Sequence, residues 1–351
     1  MSNTRQIDIS LKNLILDDDR EFVAMLSGEW GIGKTYFWKK LFTKEELKKS
    51  KKSITYLSLF GYSSIQSIKN DIVLKLSKEE TTKAIFADAF RHFRTTSGTK
   101  EGDESSGLSL SGSIISSALS IIPEKSLKGS IICFDDFERL SDKVSFKDVM
   151  GLIAQFKEQK ECKVVIILNE GELSDENQKI FSRNKEKIVD YNFHYQPSQK
   201  ELFVAIKEDI EKITWCEYQT IYNFFEKIYL KNIRIMKQAL YLLEKFSFIK
   251  SESYDKKVID EFVKIALNIF VFRITSNFSY QELQDFKEYK TKILSETLFS
   301  DNKKIVRVPN FDKYLNSYEG IPYYITNDNI EKILYNFIET YYIHYGLSSI
   351  K

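Results

Sequence analysis

The chain has 351 residues, 42% of them hydrophobic, which is enough apolar side chain for about two or three packed units. Its 52 lysines and arginines nearly balance 50 aspartates and glutamates, so no overall field draws it to nucleic acid or to an anionic membrane. The scattered Cys133, Cys162 and Cys216 and the scattered His92, His194 and His344 speak against a disulfide framework or a zinc cluster. An N-terminus without a signal-peptide profile, and no apolar run of spanning length, predict a cytoplasmic protein with no transmembrane segment.

In chain order, residues 7–20 alternate apolar and acidic positions and predict a helix ending in Asp17-Asp18-Asp19. Phe22 to Leu26 reads as a short buried strand, and it runs directly into Gly28-Glu29-Trp30-Gly31-Ile32-Gly33-Lys34-Thr35. Strand, GxxxxGK[ST] and helix in that order make a P-loop, whose glycines let successive backbone N–H groups converge on the phosphates of a nucleotide. In this pattern Lys34 reaches the outer phosphates and the Thr35 hydroxyl holds magnesium. Residues Gly28 to Tyr36 are the candidate nucleotide-binding set. The stretch Tyr36 to Leu41, free of proline and glycine, continues as a helix whose positive N-terminal end favours phosphate charge.

A lysine-rich turn at 48–52 leads to a second predicted strand, Ile54 to Phe60, closed by Gly61. Residues 64–93 carry helical periodicity, with Ile65, Ile68, Ile72, Val73 and Leu76 on one face. Residues 95–113 are rich in serine, glycine and charge and read as a mobile loop. Ile114 to Ile122, stopped by Pro123, is expected to be a short helix packed on the domain, and 95–128 as a whole reads as an insertion.

Ile131 to Phe134 and Val164 to Leu168 are apolar throughout, which suits central strands of a parallel sheet, and a helical segment at 145–159 separates them. The alternation from Phe22 to Tyr195 predicts an α/β fold, a three-layer P-loop NTPase sandwich with a parallel sheet, over residues 1–198. An all-α region follows, divided into a helical lid at 199–250 and a helical segment of unassigned role at 251–351. Its tyrosines, Tyr314, Tyr318, Tyr323, Tyr324, Tyr335, Tyr341 and Tyr342, are expected in a core.

Asp135 ends the run Ile131-Ile-Cys-Phe-Asp, the position from which a carboxylate beside the P-loop strand holds magnesium. Asp136 or Glu138 is placed to polarise the attacking water, and the sequence leaves the choice between them open. Asn169 ends the next strand and is a candidate sensor of the γ-phosphate or the water. Asn169-Glu170-Gly171-Glu172 does not spell the NKxD that reads guanine, so ATP is the expected nucleotide. Arg183, in a charged helix before the last predicted strand, is a candidate arginine finger for a neighbouring subunit. Arg234, in an Asn-x-Arg segment that opens a helix, is a candidate second sensor.

The chain resembles the KAP-type P-loop NTPases, a group allied to the AAA+ and STAND ATPases. The resemblance covers roughly residues 7–245 and rests on GEWGIGKT at Gly28 to Thr35, with a tryptophan inside the loop, and on FDDFERL at Phe134 to Leu140. Asn169 and Asn232-Ile-Arg234 fit more loosely. It implies the ASCE sheet order, in which the sensor strand lies between the P-loop and Walker B strands. Members often carry transmembrane helices between the two Walker motifs, where this chain has only the Ser/Gly-rich segment and a short apolar stretch. Similar bacterial proteins include phage-exclusion and defence ATPases. The resulting expectation is a slow Mg-ATPase that acts as a conformational or assembly switch with copies of itself or with an effector protein. A nucleotide-stabilised scaffold and a P-loop kinase are the alternatives.

Overall fold

The apolar runs form five strands, β1 (Phe22–Ser27), β2 (Ile54–Ser58), β3 (Ile131–Asp135), β4 (Lys163–Leu168) and β5 (Tyr191–His194). They pair in parallel in the order β2-β3-β4-β1-β5. The computed structural model describes residues 2–96, 122, 127–299 and 334–338, apart from 18, 51, 53, 80, 81, 252, 253, 277 and 278. The expected insertion at 95–128 therefore lies largely outside the described residues. Contacts divide the chain into two compact units: residues 1–30 and 34–197, and residues 31–33 and 198–351.

In the first unit the strands alternate with α1 (Asn3–Leu16), α2 (Lys34–Lys40), α3 (Lys44–Ser50), α4 (Ile65–Leu76), α5 (Lys83–Thr96), α6 (Phe146–Glu158) and α7 (Asp175–Ile188). Every residue of β1, β3 and β4 is buried, as strands covered on both faces must be. Val23, Met25, Ile132, Phe134, Val164 and Ile166 share one apolar cluster with the inner faces of α4 and α6. The alternate residues Phe22, Ala24, Leu26, Val165 and Ile167 are buried on the opposite face. This is a three-layer α/β sandwich, and β4 stands between the P-loop strand β1 and the Walker B strand β3. Serine side chains at positions 2, 64, 145 and 174 accept backbone N–H groups at the starts of α1, α4, α6 and α7.

Several local expectations are corrected. α1 begins at Asn3, because Ser2 caps it, and ends at Leu16, before the aspartates, whose charge the negative C-terminal end of a helix disfavours. The lysine-rich turn at 48–52 is partly helix: Thr43 and Glu46 exchange side-chain-to-backbone hydrogen bonds, a capping box that starts α3. The periodic stretch 64–93 is two helices, parted between Leu76 and Lys83. β2 stops at Ser58 rather than Phe60.

The described part of the second unit is helical: α8 (Gln199–Glu211), α9 (Tyr218–Lys227), α10 (Ile233–Glu244), α11 (Lys256–Ser276) and α12 (Tyr280–Phe299). Ser198 and Glu201 form a capping box on α8, and Asn232 accepts the N–H groups of Arg234 and Ile235 at the start of α10. One apolar cluster runs from Leu202 through Leu283 to Ile338, so residues on either side of position 250 share a core. Tyr335 is buried in it, while Tyr314, Tyr318, Tyr323, Tyr324, Tyr341 and Tyr342 lie outside the described residues. No helix among the described residues is long and apolar enough to cross a membrane.

Candidate active site

Parallel pairing brings the strand ends into line, since Ser27 pairs with Leu168 and Ser58 with Asp135. The residues that leave the sheet there, Gly28 after β1, Asp136 after β3 and Asn169 after β4, consequently share its C-terminal edge, where open α/β sheets place their ligands.

Gly28 is buried, Glu29 and Trp30 are exposed, and Gly31 and Gly33 hold positive φ angles of 79° and 93° that favour glycine. Ile32 is buried and Tyr36 half-buried, with the Lys40 ammonium over its ring. Lys34 opens α2 and donates to the carbonyls of Gly28 and Glu29, both at 2.8 Å. Burial lowers its pKa, and the nearby charge of Glu138 opposes that shift more than Asp135, Asp136 or Glu29 does.

Gly31–Gly33 group with the second unit, where the Gly31 carbonyl accepts the Ile233 N–H at 2.8 Å. A Cβ on Gly31 would lie 2.2 Å from Asn232 Oδ1, so both the backbone angle and the space require glycine.

Thr35 donates its hydroxyl to Asp135 Oδ2 at 2.6 Å, and Tyr56 donates to the same oxygen at 2.8 Å. Asp135 Oδ1 accepts the Asp136 N–H at 2.8 Å. Burial pushes the Asp135 carboxyl up, and the hydrogen bonds from Thr35 and Tyr56 hold it back in part. Burial and the charge of Asp135 raise the Tyr56 phenol, which therefore stays a donor at neutral pH. Thr35 Oγ1 and Asp135 Oδ2 are adjacent hard oxygen donors, the kind that magnesium takes together with phosphate and water. The donor set fits that ion.

Asp136 adopts the left-handed conformation, φ 59° and ψ 39°, and its Oδ2 accepts the Ser58 hydroxyl at 2.5 Å. A single turn of 3-10 helix, Phe137–Arg139, follows. Glu138 Oε2 accepts the Asn169 N–H at 3.2 Å, and burial raises the Glu138 pKa. The Asn169 side chain turns onto the Gly171 N–H, starting its own short helical turn.

Lys34, Thr35, Asp135, Glu138 and Asn169 are thus linked through the edge of one sheet. Arg183 is exposed on α7, and Arg234 is half-buried in the first turn of α10. Tyr56 and Ser58 were missed by the motifs. β2 pairs beside β3, and from there their hydroxyls reach the Asp135 and Asp136 carboxylates.

The sheet order and this loop give the fold. It is that of an ASCE-class P-loop NTPase. No protein-family model matches the sequence, and no curated protein matches it. Among solved structures the chain is similar to the ORC2 protein of Aeropyrum pernix, in ADPNP–ADP complexes, at 13% identity and TM-score 0.48, covering 97% of this chain and 95% of that one. It is also similar to Cdc6p of Pyrobaculum aerophilum, at 14% identity and TM-score 0.45, covering 97% and 84%. A RuvB mutant of Thermotoga maritima gives 13% identity and TM-score 0.40, covering 89% and 81%. At this level of likeness, function has to be argued from the residues of the site itself.

Proposed function

We propose that the protein is a magnesium-dependent ATPase of the KAP/STAND-like type that converts ATP and water slowly to ADP and phosphate. The observation that carries this is the meeting of Thr35 and Asp135, 100 residues apart in sequence and joined at 2.6 Å beside the P-loop lysine. Lys34 faces the outer phosphates, leaving the Gly28 and Glu29 carbonyls to do so. Thr35 and Asp135 hold magnesium, which when bound neutralises charge on the β- and γ-phosphate oxygens. An acidic side chain in the turn after β3 takes the proton of the attacking water. Adenine is favoured because the segment after β4 lacks the NKxD that reads guanine.

The helical unit is the part that responds to nucleotide, with Arg234 as coupling residue and Arg183 as a finger toward a second copy. This makes the protein a cytoplasmic conformational or assembly switch acting on itself or on an effector protein, and the KAP resemblance suggests a role in bacterial anti-phage defence. The test is fluorescent-ATP binding and phosphate release by wild-type protein and Lys34→Ala. Magnesium-dependent turnover lost in Lys34→Ala supports the proposal. A Lys34→Ala protein that binds and hydrolyses ATP like wild type overturns it, and wild-type binding without phosphate release points instead to a nucleotide-stabilised scaffold.

A further inference from the structure

We propose that Glu138 is the catalytic carboxylate that takes the proton from the attacking water, and that Asp136 is a positioning residue clamped to Ser58. This rests on the ATPase proposal above and settles which of the two acids after β3 does the chemistry.

The sheet order separates the two side chains. β3 lies between β2 and β4, and the P-loop strand β1 lies beyond β4. Asp136 bonds to Ser58, the last residue of β2, and so faces the side of β3 away from the P-loop. Glu138 bonds to the N–H of Asn169, the residue that follows β4, and so faces the P-loop side. Among the neighbouring acids its charge is the one that most favours the charged form of the Lys34 ammonium, in keeping with that placement.

The backbone explains how a residue three positions past the metal carboxylate comes to stand there. Non-glycine residues seldom hold a left-handed conformation; aspartate is one of the few that enter it more readily, and hydrogen bonds to its side chain and N–H hold it there. Here the Ser58 hydroxyl and the Asp135 carboxylate hold Asp136 from its side chain and from its N–H. The chain then reverses into the short helical turn. Phe137 enters the core and Glu138 emerges on the opposite side, toward β4.

In the reaction the water oxygen forms a bond to the γ-phosphorus while the bond from that phosphorus to the β–γ bridging oxygen breaks. The water proton passes to the Glu138 carboxylate. ADP and inorganic phosphate leave, and Glu138 then releases the proton to solvent.

Wild type, Glu138→Gln, Glu138→Asp, Asp136→Asn, Asp136→Ala and Ser58→Ala are compared by fluorescent-ATP binding with magnesium and by single-turnover phosphate release. Glu138→Gln keeps nucleotide affinity within about threefold and loses hydrolysis by about 10²–10³, the usual contribution of a general base. Glu138→Asp, which shortens the same acid, loses a similar amount if the carboxylate must reach a fixed point. Asp136→Ala and Ser58→Ala release the clamp and slow turnover about tenfold, while Asp136→Asn, still able to accept the Ser58 hydroxyl, restores most of it. Equal loss in Asp136→Asn and Glu138→Gln overturns the assignment, as does Glu138→Gln turning over like wild type. Wild-type protein that releases no phosphate overturns the ATPase proposal and this inference with it.

Discussion

Phe137 lies between the two acids, and its replacement tests whether core packing sets the geometry of the site. The ring is fully buried, 6.5 Å from Phe134 and 5.7 Å from Phe146, which in turn lies 6.2 Å from Phe181. Phe137→Ala removes a buried phenyl group and leaves a cavity, a cost of about 3–5 kcal/mol. Phe137→Leu keeps most of the apolar volume but loses two edge-to-face pairs, each worth about 0.5–1.5 kcal/mol, for a total of about 1–3 kcal/mol. At about 2–4 °C per kcal/mol for a unit of this size, Phe137→Leu lowers Tm by about 2–12 °C. Calorimetry without nucleotide measures this, and single-turnover hydrolysis well below Tm measures the consequence for the site. Because Phe137 is the covalent neighbour of Glu138, the variant slows hydrolysis about tenfold. Nucleotide affinity, which the proposal assigns to Lys34, Thr35 and Asp135, stays within about threefold of wild type. A lowered Tm with wild-type turnover would show that the ring stabilises the fold without aiming Glu138, and the reasoning would fail. An unchanged Tm would refute the packing argument itself.

Lys163→Met separates stability from binding. The fully buried Lys163 donates to the Leu14 and Ile15 carbonyls at the end of α1, both at 2.8 Å, and the Ile15 carbonyl keeps a second donor, Lys52 at 3.0 Å. Net loss is about 2–3 kcal/mol after relief of the buried charge, seen as a Tm lower by about 4–12 °C with ATP affinity intact; an unchanged Tm counts against it. Tyr56→Phe removes one of the two hydroxyls on Asp135 Oδ2 and should raise the magnesium needed for half-maximal nucleotide binding about tenfold. Binding measured in EDTA should not change, and equal losses with and without magnesium would rule out a role through the metal carboxylate.

The sheet was legible because strands buried on both faces leave continuous apolar runs, as at Ile131 to Phe134 and Val164 to Leu168. The ends of helices were less so. Ser2 begins α1 five residues before the first periodic position, and the Thr43–Glu46 capping box turns a lysine-rich stretch into α3. Neither start alters the pattern of apolar residues, so periodicity passes over both. The break between α4 and α5 is different, since Ser77 to Lys83 holds no apolar residue and the periodic reading of 64–93 runs across it.

The placement of Lys34, Thr35 and Asp135 at one end of the sheet was legible, because residue type and strand position determine it. Beyond that point the deciding quantity is direction. Asp136 and Glu138 are both acids just past a strand, and spacing alone ranks the nearer one first. One backbone angle changes the order: with Asp136 left-handed, its carboxylate points toward β2 and the next acid, Glu138, points toward β4. Ser58 gives that conformation a reason, yet Ser58 belongs to a strand 78 residues earlier, so no local pattern could have shown it. If the clamp is what selects Glu138, then the hydroxyl at Ser58 is as much a part of the Walker B motif as its carboxylates. Ser58→Thr, which keeps the hydroxyl, should hydrolyse ATP far closer to wild type than Ser58→Ala does.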